Sequence, residues 1–204
     1  MRLFQPLLLS ALISAALPLQ AGPLSDPDHP LRPLELQLAE LPSNVVGRAG
    51  RHLVLHRSRR QLLLIEQGQL VSRYPVAVGM AGWETPAGNF RVLNKVSDPS
   101  WAHPQTGEVV TGEDPKNPLG SRWIGFYKDC VGRKGFDGER MLDIKGCTTA
   151  GFHGTPHRWT IGHAVSHGCV RLFDEDVRDL FDRVRTGTPV TVPANAPPKP
   201  GSAL

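Results

Sequence analysis

A mainly β fold with a single helix near its C-terminal end is what this 204-residue sequence predicts. Three observations lead there. Apolar-rich runs of strand length recur along the chain, 21 glycines and 19 prolines supply turns between them, and one stretch alone carries the apolar spacing of a helix.

The elements follow in order. Arg51–His56 and Gln61–Glu66 are apolar-rich runs of strand length. Gln67-Gly68 offers a turn into a third run, residues 70–78, so a hairpin is expected there. After the Pro86–Gly88 turn, residues 89–96 alternate Phe90, Val92 and, less cleanly, Asn94, which fits one half-buried strand. Residues 122–127, 150–153 and 189–193 complete the β-rich set. The helix begins at Asp174, the expected cap, with Glu175 and Asp176 complementing the dipole of the first turn. Val177, Leu180, Phe181 and Val184 make one apolar face, a core stripe. Arg183 and Arg185 fall at the end, and Gly187 stops the helix.

The two ends differ from this middle. Arg2 followed by a largely apolar stretch over residues 7–19, with Gln20-Ala21-Gly22 behind it, reads as an export signal covering residues 1–21. Cleavage after Ala21 fits, and cleavage after Ala16 is the alternative. The apolar run is shorter than the ~20 residues that span a bilayer, so a retained anchor is the weaker reading. Residues 22–44 are a proline-rich lead-in, residues 45–192 the folded domain, and residues 193–204 a tail without periodicity. A formal net charge of +4 decides little, and no interleaving of aromatic and basic residues points to nucleic acid. No second apolar segment approaches spanning length, so no stable membrane span is expected once the signal is removed.

Chemistry concentrates late in the chain. Cys169 sits in the run Ser166-His167-Gly168-Cys169-Val170-Arg171, a setting of glycine, histidine and arginine suited to a reactive thiol. His153, in Gly151-Phe152-His153-Gly154-Thr155, lies upstream and can return as its base. Gly168 leaves room for substrate and frees backbone N–H groups for a developing oxyanion. Arg171 follows the cysteine by two and, in a strand, shares its face. A buried structural cysteine is the bland alternative, and the polar bracket argues against it. The pairs His153/His157 and His163/His167 are both four apart, as metal ligands on one helix face would be. Glycine and proline interrupt them, and no HExxH arrangement accompanies them. Neither a metal nor a cofactor is expected.

The resemblance goes further. His153-Gly154-Thr155, Ile161-Gly162 and the SHGCVRL run of residues 166–172, with Thr85-Pro86-Ala87-Gly88-Asn89-Phe90, Trp101-Ala102-His103-Pro104 and Asn117-Pro118-Leu119-Gly120 in order before them, resemble the L,D-transpeptidases with a YkuD-type catalytic domain. The match covers residues 45–192. The resemblance implies a β-sandwich-like fold with the helix packed on it, and an exported enzyme of the periplasm or cell wall. That enzyme would work on peptidoglycan stem peptides, releasing D-Ala from a tetrapeptide stem and passing the acyl group to an amine to form cross-links. It implies Cys169 as nucleophile, His153 as base and the Gly154 carbonyl as the group that orients His153. Ser166, His167, Gly168 and Arg171 are then expected on the substrate and oxyanion side. L,D-carboxypeptidase and protein-anchoring activity share the same acyl-enzyme, and a non-catalytic wall-binding module is the rival of another class. A monomer is expected. With Cys169 kept free, Cys130 and Cys147 are the natural disulfide pair of an exported chain, the alternative being two unpaired thiols. A bridge of that span stabilises by ~3 kcal/mol on chain-entropy grounds.

Overall fold

The structure, a computed structural model, describes residues 49–194 apart from 104–105, 132, 137–138, 140 and 145–146. The expected export signal and lead-in, and the tail beyond residue 194, lie outside the described residues. The described residues form fifteen strands. The first six are β1 (Arg51–His56), β2 (Gln61–Glu66), β3 (Gln69–Pro75), β4 (Val78–Gly79), β5 (Gly88–Arg91) and β6 (Asn94–Ser97). Then come β7 (Trp101–Ala102), β8 (Val109–Val110), β9 (Arg122–Asp129), β10 (Arg133–Phe136), β11 (Met141–Ile144) and β12 (Thr148–His153). The last are β13 (Ala164–Ser166), β14 (Val170–Arg171) and β15 (Pro189–Val192), with the helix α1 (Asp174–Arg183) between β14 and β15.

Two sheets share one core. The larger has the order β3-β2-β1-β15-β5 and the smaller β14-β12-β9-β6. Strand alternation sends Leu53 and Leu55 of β1, Leu62 and Leu64 of β2, and Val190 and Val192 of β15 inward. There they meet Ile124 and Phe126 of β9, Phe152 of β12 and Val170 of β14. Burial of each such side chain is worth roughly 1.5–3 kcal/mol, which makes this cluster the main stabilising element. The opposite face of the larger sheet is also dry, with Val54, Leu63 and Ile65 at most 1% exposed.

The expected strand over residues 89–96 is in fact two, one in each sheet. The chain changes sheet at Val92 and Leu93: the Val92 N–H goes to the Thr188 carbonyl and the Leu93 N–H to the Gly125 carbonyl. The run over residues 70–78 divides similarly, because β4 leaves β3 to pair in parallel with β13.

Helix α1 lays Val177, Leu180 and Val184 into the shared core. Lys95 closes its C-terminus, its Nζ donating to the carbonyls of Phe181 (2.6 Å) and Val184 (2.7 Å). Asp174 is not the cap expected from sequence. Phe173 holds that position, and the Asp174 carboxylate is engaged elsewhere, by the Ser121 N–H at 2.8 Å and by Arg178. Cys130 and Cys147 are joined by a disulfide at the open end of the β9–β12 ladder, where Asp129 faces Thr148, and the β10–β11 hairpin lies between them. Among the described residues no helix is long and apolar enough to cross a membrane.

Candidate active site

Strand register brings the sequence-distant residues together. β12 and β14 run parallel with Phe152 opposite Val170 and His153 opposite Arg171. Phe152 and Val170 point into the core, so by alternation His153 and Arg171 project from the opposite face. Cys169 enters β14 beside Gly151, whose backbone N–H stabilises its thiolate form, and the Sγ lies 4.0 Å from the Thr149 carbonyl. The smaller sheet is therefore apolar inside and carries the predicted chemistry outside.

His153 is only 4% exposed. Its Nδ1 lies 2.6 Å from the Gly154 carbonyl, which can only accept, so Nδ1 carries the proton and Nε2 is left as the basic nitrogen. Burial holds the imidazole well below its usual range, at about 4; the Gly154 carbonyl raises it, Arg171 lowers it, and the Leu119 carbonyl raises it. Burial pushes the Cys169 thiol up, with the Gly151 N–H and Arg171 drawing it partly back. At neutral pH the pair thus rests as thiol and neutral imidazole.

The backbone around this pair is tightly fitted. A Cβ on Gly154 would lie 2.3 Å from Asp174 Oδ1, so only glycine lets the helix N-terminus seat against the carbonyl that orients His153. Gly168 has φ +112°, a conformation side chains avoid, at the turn into Cys169. Ser166 is buried; its hydroxyl donates to the Cys169 carbonyl at 2.5 Å and accepts the Gly168 N–H at 3.2 Å. It therefore holds the turn, and the Gly168 N–H expected for an oxyanion is occupied by it in this arrangement. His167 packs edge-on against Trp83 with centroids 4.9 Å apart, in the loop that Met80 hydrogen-bonds to Ser166. Its ring basicity is lowered by burial and by Arg171.

Arg171 is half-buried, pinned by backbone bonds to Ala77 on one side and the β12 ladder on the other, and no carboxylate among the described residues pairs with its guanidinium. An unneutralised cation beside a thiol attracts either the thiolate or an anionic substrate group.

Sequence reading missed Trp123 of β9, whose ring stacks on His153 with centroids 6.0 Å apart and planes 22° from parallel. The signal available was a tryptophan two residues before a glycine, in a strand expected to lie near the base. A cleft of about 370 Å³ opens on the far side of Gly154, lined by acidic residues including Asp98, Glu113 and Asp174 together with Arg178. Neither Cys169 nor His153 lines it. No cluster of three or more metal-ligating side chains occurs among the described residues.

Residues 50–192 match the family described as the L,D-transpeptidase catalytic domain, YkuD. The chain is 31% identical over 141 residues to YqjB of Bacillus subtilis (strain 168), a protein named as an L,D-transpeptidase, covering 69% of this chain and 70% of that one. It is 30% identical over 133 residues to YkuD of Bacillus licheniformis, named likewise, covering 65% and 59%. The chain therefore spans between about three fifths and seven tenths of these relatives. Among solved structures, the L,D-transpeptidase (Yku) of Stackebrandtia nassauensis aligns with TM-score 0.50 at 20% identity, over 79% of this chain and 65% of that one. LdtMt1 in complex with imipenem aligns with TM-score 0.51 at 19% identity, over 70% and 58%. At these identities the likeness is one of fold.

Proposed function

The chain belongs to the L,D-transpeptidase catalytic-domain family, and from that membership we propose that it is a cysteine acyltransferase acting on peptidoglycan stem peptides. The observation that carries the reading is the parallel register of β12 and β14, which sets His153 and Arg171 side by side on the face where Cys169 meets Gly151. Buried at a depressed basicity, His153 is neutral at pH 7, so its Nε2 carries no proton and is open to act as the acceptor.

The Cys169 Sγ–H gives its proton to His153 Nε2 as sulfur attacks the carbonyl of the L-centre–D-Ala bond of a tetrapeptide stem. The tetrahedral oxyanion is held by backbone N–H groups around Cys169, with the Gly168 N–H joining once it leaves Ser166. The imidazolium then returns the proton to the departing D-Ala amine as the C–N bond breaks, leaving a thioester on Cys169. An acceptor amine attacks that thioester and His153 takes its proton; the C–S bond breaks, and the departing Cys169 thiolate receives that proton to restore the thiol. The Gly154 carbonyl steadies imidazole and imidazolium alike without bringing a full negative charge, and Arg171 is a partner for a substrate carboxylate. No cofactor or metal is required by this cycle.

Action on the wall goes with export, to the periplasm or cell wall, and the N-terminal sequence supports that destination. Incubating purified protein with a disaccharide-tetrapeptide and weighing the products tests the reading. Cross-linked dimer with loss of D-Ala is expected. Tripeptide alone would make the enzyme a carboxypeptidase, attachment to a supplied protein amine an anchoring enzyme, and unchanged substrate would leave a binding module.

A further inference from the structure

The outer face of the smaller sheet carries a floor that the acyl-transfer cycle does not account for. Gly125 of β9 stands directly opposite Gly151 of β12, and Trp123 directly opposite His153. A Cβ on Gly151 would lie 2.7 Å from two carbons of the Trp123 ring, and a Cβ on Gly125 would lie 2.9 Å from its Nε1. The indole therefore lies flat across a pair of facing glycines, along a strip that no side chain could share with it. From there its ring stacks on His153, while Gly151 beneath it also meets the Cys169 thiol. On the far side of Gly125, Asn94 of β6 crowds the same strip, its Oδ1 2.2 Å from where a Gly125 Cβ would sit.

We propose that Trp123, laid over the Gly125–Gly151 pair, is a positioning residue that fixes the plane of the His153 ring and excludes water from it. This rests on His153 being the base of the proposed reaction. The Nδ1 bond to Gly154 restrains the ring at one atom and leaves rotation about that contact free; a flat neighbour against the ring face removes the remaining freedom. The same contact covers one face of an imidazole whose neutrality at working pH depends on being dry. The charged neighbour acting on the ring is Arg171, directly across the β12–β14 ladder, with the titratable Cys169 two residues before it, and neither position is altered by a substitution at Trp123. The two glycines are then functional positions, set by the ring they carry.

The test compares Trp123→Ala, Trp123→Phe and wild type by two readouts. One is titration of the His153 ring by NMR in protein with labelled histidine, which needs no turnover; the other is the pH profile of kcat with KM measured alongside. Trp123→Ala should raise the His153 midpoint by at least one pH unit and carry the acid limb of kcat up with it. It should lower kcat at neutral pH by 10-fold or more with KM changed less than 3-fold, and Trp123→Phe should recover most of both. An unchanged His153 midpoint in Trp123→Ala would overturn the inference, as would a loss confined to KM. If Trp123→Ala does not fold, Trp123→Phe and Gly151→Ala carry the same readouts: Phe should sit near wild type and Gly151→Ala, by displacing the indole, should shift the midpoint. A shifted midpoint with no acyl transfer by any variant, wild type included, would keep the positioning role and remove the proposed reaction instead.

Discussion

The two sheets bury their strands in different ways. In the larger sheet, β1 and β2 are dry on both faces: Leu53, Leu55, Leu62 and Leu64 line the shared core, and Val54, Leu63 and Ile65 are shut away behind it. In the smaller sheet only the inner face is apolar, through Ile124, Phe126, Phe152 and Val170, while the outer face presents Trp123, two glycines, His153 and Arg171. The larger sheet anchors the fold with long apolar strands. That anchorage lets the smaller one carry half-buried polar groups and a guanidinium with no carboxylate partner among the described residues, each of which costs stability. Stability and chemistry are thus assigned to different layers, and the contrast can be broken by substitutions that should affect one and spare the other.

The largest effect belongs to the outer face of the smaller sheet. Cys169→Ser should abolish product formation, because a serine hydroxyl is a far poorer nucleophile at neutral pH, while circular dichroism and the melting temperature stay as in wild type. Retained turnover would move the nucleophile elsewhere. His153→Ala should follow with a loss of ~10²–10⁴-fold in kcat, the range for lost general acid–base catalysis, and His167→Ala should keep more activity because its ring packs on Trp83. A reversed order would hand the base to His167.

The larger sheet should give the opposite signature. Leu53→Ala, at a fully buried position, should cost about 2–5 kcal/mol in chemical denaturation, with kcat per folded molecule near wild type. A selective loss of kcat there would mean that the two layers are mechanically one.

The smallest effect lies in the helix packed on β9 and β12 of the smaller sheet. Asp176 is 1% exposed with Oδ2 unpartnered, and burial, reinforced by Glu175 and Asp179, raises its carboxyl to about 7. The folded state therefore binds this proton more tightly than the unfolded chain does. The resulting stability is fully present below the ordinary carboxyl range near 3.8 and is lost as pH rises through about 7. Asp176→Asn should stabilise the protein by on the order of 1 kcal/mol at pH 8, with the advantage vanishing by pH 4 in melting experiments. An equal gain at both pH values would mean that ionisation is not the cause.

What could be read in advance follows the same division. β1 and β2 carry their own punctuation, since unbroken apolar runs are bounded by turn residues, and their limits are plain in the sequence. The exchange of sheets at Val92-Leu93 was not, because both residues are apolar and only their hydrogen-bond partners, Thr188 and Gly125, reveal the break. β13 and β14 are too short for any periodicity to register, though they frame the cysteine. Cys169 and His153 stand out in the sequence through their motif, and the contact of His153 with the Gly154 carbonyl was expected from family resemblance alone. The stacking of Trp123 on His153 stayed hidden because it joins cross-strand partners 30 residues apart, and the seat between Asp174 and Gly154 because it joins a helix to a loop 20 residues before it.

The Cys130–Cys147 bridge has a consequence for how this fold is laid out. It clasps both ends of the excursion that holds β10 and β11, at the point where the β9–β12 ladder begins. Whatever chain runs between the two cysteines, the ladder that aligns Trp123 with His153 starts from the same fixed pair. The excursion is in effect a cartridge: the bridge fixes where the chain leaves β9 and where it rejoins β12, so the two strands enter their shared ladder from one clasped point.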